Sequence, residues 1–171
     1  MVASLMFAID SRADDTLEYA IKATFLYKFA LFVQWPSDIA EISSRPLTVC
    51  LSGSDGVTAV APEAASGQNI NGGPVVVTHL SPGAPLDACK ILYVANAPGA
   101  AELLDAARGK PILTVTDGGG ARHGIIQFVL VDRHVRFDID EQLAAESRIR
   151  ISSQLLQLAR RVIPRNGSAA P

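Results

Sequence analysis

The sequence predicts an α/β fold: a single domain on a mostly parallel sheet of about five to six strands, with an antiparallel edge hairpin, flanking helices and long N- and C-terminal helices. Three observations carry that expectation. Four short β-branched runs, LTVCLSG, PVVVTHL, KILYVAN and PILTVTD, are apolar rather than strictly alternating, the pattern of strands covered on both faces. Helix-like segments separate the first pair (56–65) and the last pair (98–107), as crossovers between parallel strands require. With 171 residues, 49% hydrophobic and 19% charged, the chain can bury one sizeable core and lacks the composition of a disordered protein.

From the start, MVASLMFAIDSRA (1–13) holds a short apolar core that reads either as the remnant of an export signal or as a loose terminus. Acidic Asp14, Asp15 and Glu18 then open a helix that runs to about Val33, with Pro36 as its stop. Its second half, within ATFLYKFALFVQWP, is oily enough to raise the question of a membrane. Lys22 and Lys28 interrupt it, and it falls short of the roughly 20 apolar residues a spanning helix needs. A lysine at the bilayer centre would cost about 2.5 to 3.5 kcal/mol, so the helix does not span. Phe25, Phe29, Phe32 and Trp35 must therefore be covered by their own domain or by a second subunit.

The β-branched runs follow, in an expected spatial order of second, first, third, fourth, fifth. GIIQFVLVDRHVRFDID reads as two strands meeting at Asp132 and Arg133. The last element, 140–163, reads as one helix, with Asp138, Asp140 and Glu141 at its start and Arg160 and Arg161 at its end. Ile151, Leu155, Leu158 and Val162 would form its apolar stripe. Residues 14–163 are thus expected to form the one domain and 164–171 a flexible tail.

The residues that could carry chemistry are few. A net charge of −2 supplies no field for nucleic acid. No CxxC pair occurs, and His79, His123 and His134 lack ligand spacing, so neither metal nor cofactor is expected. In SGSDGVTA, Gly53 and Gly56 make GxxG rather than a dinucleotide fingerprint, which reads as a plain strand-to-helix turn. The loop TDGGGARHG sets Asp117 at a strand's carboxyl end beside Gly119 and His123, a weak ligand-loop candidate. No GxSxG occurs, and Ser147, Ser152 and Ser153 fall in the terminal helical region, so the chain reads as non-catalytic. Cys50 and Cys89 are open to two readings, buried thiols or a bond closing a 39-residue gap worth roughly 4 kcal/mol.

Three segments together resemble a known family: KATFLYKFALFVQWP near the start, LTVCLSG with CKILYVAN in the middle, and VRFDIDEQLAAESRIRISSQLLQLARRV at the end. They resemble the YfiR family of periplasmic regulators over 19–162. The resemblance implies an exported, non-catalytic protein, commonly a homodimer, that binds the periplasmic domain of a membrane-anchored diguanylate cyclase and represses it. It implies a Cys50–Cys89 disulfide; an inhibitor of this kind also needs a partner-binding surface, for which Phe137, Ile139, Glu146, Ile149 and Ile151 are the candidate patch, and a small-molecule or cell-wall effector is a further candidate partner. Those five residues could instead pack the terminal helix on the sheet. The alternative function is a small-molecule sensor domain acting on another membrane receptor, such as a histidine kinase, with its ligand near 117–124. Three positions depart from the family: Asp140 replaces an asparagine but can still cap a helix, Arg148 replaces a glycine and argues against a left-handed turn, and GGGARHG lacks the aromatic ahead of its glycines.

Overall fold

A computed structural model of the chain describes residues 10–36, 45–120 and 122–167. Its elements are α1 (Asp10–Lys28), a 3₁₀ turn (Phe29–Phe32), β1 (Val33–Gln34), β2 (Leu47–Ser52), α2 (Gly56–Ala65), β3 (Asn69–Ile70), β4 (Gly73–His79) and β5 (Ile91–Val94). Then come α3 (Ala100–Ala107), β6 (Leu113–Asp117), β7 (Ile126–Val131), β8 (His134–Asp140), α4 (Glu141–Glu146), β9 (Arg150–Ile151), α5 (Ser153–Leu158) and β10 (Arg161–Ile163). Helix α1 begins at Asp10, inside the stretch expected to be a terminus, and residues 1–9 of that stretch lie outside the described residues.

Eight strands form the main sheet, in the order β10-β8-β7-β6-β5-β2-β4-β3. The order β4-β2-β5-β6-β7 is the one expected from the apolar runs, and those five strands pair in parallel. β7 and β8 make the hairpin, turning through Asp132 and Arg133 at φ 48° and 60°, the left-handed pair that a two-residue turn matched to strand twist requires. The hairpin is not at the edge, because β10 lies outside β8 and parallel to it.

One face of the sheet is covered by α1 and α2. There the rings of Phe25 and Phe29 pack on Phe128 of β7 and Phe137 of β8, with centroids 5.3–6.3 Å apart between the helix and strand rings. The oily helix is thus covered by its own sheet. Phe32 and Trp35 pack against the same cluster. The other face carries a smaller cluster under α3, where Cys50 of β2 and Cys89, just before β5, are joined as a disulfide with Cα atoms 5.7 Å apart.

The expected helix over 140–163 does not form, and its replacement has local causes. α4 ends after six residues, and Arg148 takes a left-handed φ of 55°, so the turn survives the loss of glycine. β-Branched Ile151 pairs with Val33 in a two-stranded antiparallel ladder, β1 with β9. Ser152 then caps α5 by accepting from the Leu155 N–H, and Ala159 leaves that helix in an extended conformation that leads into β10. Leu158, assigned to the buried stripe, is 64% exposed. Arg160 and Arg161, taken for helix-terminal charges, both reach the buried Asp138 carboxylate.

An L-residue in the left-handed region costs about 1–2 kcal/mol, partly offset by the chain entropy a glycine would lose on folding. Arg148→Gly should therefore raise the melting temperature by up to a few degrees, and a fall would show that the Arg148 side chain stabilises the corner.

Candidate interaction site

In an open α/β sheet, ligands bind outside the carboxyl ends of the strands. Here that end is filled by the protein itself. Lys22 projects from α1 and is 3% exposed, and its ammonium donates to both carboxylate oxygens of Asp117 at the end of β6, at 2.8 and 2.7 Å. It also donates to Glu18 one turn back on α1. Burial pulls the Lys22 ammonium down, but two carboxylates outweigh it and hold its pKa above 10.5. Burial pushes Asp117 above 3.8 against the pull of Lys22, with Glu18 and Asp55 adding to the rise.

Beside this cluster the fully buried Tyr93 of β5 donates its hydroxyl to Asp55 at 2.6 Å. Burial, then that bond, raises the phenol above its usual value. The other Asp55 oxygen accepts from the Thr58 N–H, and the Thr58 hydroxyl accepts from the Asp55 N–H, a reciprocal cap on α2. An N-terminus so capped by its own carboxylate offers no cradle for phosphate. Tyr19 closes the corner: a Cβ on Gly56 would sit 2.2 Å from its ring, so only glycine lets α1 approach α2 this closely.

The ligand loop accordingly does not act as a unit. Asp117 is bound to Lys22, whereas His123 faces the other way, its Nε2 3.0 Å from Asp140 Oδ2, and Gly119 is exposed between them. Asp140 does cap α4, its Oδ1 accepting from the Leu143 N–H at 2.9 Å.

The partner patch is also divided. Phe137, Ile139 and Ile149 are buried in this chain and belong to its main core, because β8 lies inside the sheet and the Arg148 turn folds Ile149 inward. Ile151 is half-buried in the β1–β9 ladder. Glu146 alone of the five stands in the open, accepting from Arg108, the residue that follows α3, at 3.0 Å and from Gln142. The bond from Arg108 is the main cause of a Glu146 pKa below its usual value.

Sequence reasoning missed Lys22, Tyr93, Asp55 and the Asp138–Arg160 pair. One signal for the first was present: a lysine four residues after Glu18, inside an otherwise apolar helix, needs a buried anion. The Asp138 carboxyl is held below 3.8, chiefly by the hydrogen bonds of Arg160.

Such a sheet, its ligand end roofed by a helix, defines a mixed α/β single-domain module. The chain belongs to the YfiR/HmsC-like family, whose description matches residues 19–160. That family is one of periplasmic regulators. No curated protein matches the chain. No helix among the described residues is long and apolar enough to cross a membrane.

Removing one partner of a buried ion pair costs about 3–5 kcal/mol. Lys22→Met should lose that much in urea denaturation, and adding Asp117→Asn should return part of it; equal losses in the single and double variants would mean that the pair is not coupled. Because the folded-state values of Lys22 and Tyr93 are raised, their contribution is present below pH 10 and lost as pH rises past 10.5, so thermal stability should fall there. The fall should be shallower in Lys22→Met.

Proposed function

We propose that this chain is an exported, non-catalytic regulator that grips the periplasmic domain of a membrane-anchored diguanylate cyclase and holds the enzyme inactive, lowering cyclic di-GMP and biofilm formation. The family match over residues 19–160 carries this reading. Two physical features support it. The Cys50–Cys89 bond suits an oxidising compartment. The filled carboxyl end of the sheet leaves a function exerted through surface contacts, since Lys22, Asp117, Tyr93 and Asp55 are already committed to one another.

Repression requires tighter binding to one state of the partner than to the other, and shifting a population from 1:99 to 99:1 takes about 5.5 kcal/mol. The surface proposed for this is the corner of α4 and β9, where exposed Glu146, Arg148 and Arg150 surround half-buried Ile151. It replaces the larger patch expected from the sequence. A second copy of the chain is proposed to cover the outer side of α1 and of the 3₁₀ turn after it, where Leu17 and Leu31 are 61% and 52% exposed and Ile21 lies one turn after Leu17.

Glu146→Lys should weaken capture of the cyclase's periplasmic domain by about tenfold or more, equivalent to 1.4 kcal/mol, while the variant melts as the parent does. Undiminished capture would remove the α4–β9 corner from the interface, and no capture by the parent chain would overturn the regulator reading. Leu17→Asp should shift the chain from dimer to monomer in sedimentation; a parent that sediments as a monomer ends the dimer proposal.

A further inference from the structure

A cleft of about 380 Å³ opens between α3, the β6–β7 loop and α4, on the side of the sheet away from α1. Its size is that of a small-molecule site. Its floor is apolar, formed by Leu104, Ala107, Ile125 and Leu143. Its rim is charged with both signs, and each pair joins different elements. Arg122 of the loop meets Asp105 of α3, Arg108 just after α3 meets Glu146 of α4, and His123 of the loop meets Asp140 at the head of α4.

Two buried polar groups also line it. The Asp140 side chain is 10% exposed, and its Oδ2 is turned to His123 at 3.0 Å. Ser147 is 5% exposed and lines the cleft beside it.

We propose that this cleft binds a small zwitterion of about dipeptide size, with an ammonium group and a carboxylate on either side of an apolar body. The rim selects against single charges. A simple anion attracted to Arg108 and Arg122 would meet the carboxylates of Asp105, Asp140 and Glu146, and a simple cation would meet the two arginines. A ligand bearing both charges exchanges partners with the rim: its carboxylate takes the place of Asp105 at Arg122, and its ammonium takes the place of Arg108 at Glu146. Both arginines are about half exposed, so opening those pairs costs little. The gain comes from covering the apolar floor. Because Glu146 belongs to both the rim and the proposed partner surface, occupancy of the cleft would alter the corner of α4.

The test uses the purified chain with no cyclase present, so it can fail or succeed independently of the regulator reading. Alanylleucine, its N-acetyl derivative and its carboxamide are titrated by nuclear magnetic resonance and by thermal shift. The expected result is saturable binding of the dipeptide, with shifts at Ser147 and Ile125, and at least about tenfold weaker binding of either capped form. Arg122→Gln and Glu146→Gln, both at exposed positions, should each weaken binding by a similar factor while melting as the parent does. The proposal is overturned if no saturable binding occurs up to the solubility limit, if the capped forms bind as well as the dipeptide, or if both variants bind as the parent does.

Discussion

A buried ammonium must be surrounded by negative charge, and the position of α1 follows from where Lys22 finds it. Asp117 closes β6 and Glu18 lies one turn back on the helix, so the ammonium bridges the helix to the carboxyl end of the sheet. Phe25 and Phe29 supply most of the area buried beneath α1, but apolar contact is non-directional and would tolerate some sliding. The charge contact does not, since a shift of one residue turns Lys22 away from Asp117 by about 100°. In this way one lysine fixes the register of the helix that roofs the sheet, and through Tyr19 on Gly56 it fixes the seating of α1 on α2.

That arrangement separates the two ends of the fold by purpose. The end where related architectures hold nucleotides or substrates is occupied by committed side chains, Lys22 with Asp117 and Tyr93 with Asp55. The opposite side of the sheet is less completely covered: α3 lies over β5 and β6, and α4 crosses near the ends of β6 and β8, leaving a cleft between the two helices. Charges that are buried and shared on one side are exposed and paired on the other. The first set resists exchange with solvent ions and ligands, and the second allows it.

Strands β2 and β4 to β8, the α2 crossover and the hairpin were legible because each is specified within a few residues: β-branched runs ending in turn residues, and Asp132–Arg133 between alternating segments. The short β1, β3, β9 and β10, of which β3 and β10 raise the main sheet from the expected five or six strands to eight among the described residues, were not. The C-terminal region was not. Ile151, Leu155, Leu158 and Val162 have helical spacing, yet the same β-branched residues serve in short strands, and Ser152 starts a new helix where continuity was expected. The decisive fact, that Val33 offers Ile151 a partner, joins residues more than a hundred positions apart and leaves no local trace. The candidate site was readable to a similar degree. Cys50, Cys89 and the Asp140 cap could be named, whereas the partners of Lys22, Arg108 and Arg122 depend on topology.

The β1–β9 ladder has a consequence for how the molecule comes into being. Val33 pairs with Ile151, and the Phe32 carbonyl accepts from the Ser152 N–H at 2.9 Å, so the oily end of the first helix is sealed by a segment more than a hundred residues further along the chain. A chain made amino end first leaves Val33 without its ladder partner until Ile151 has followed. A pairing of such long range is slow to form, because the entropy of closing the loop is lost before the contact rewards it.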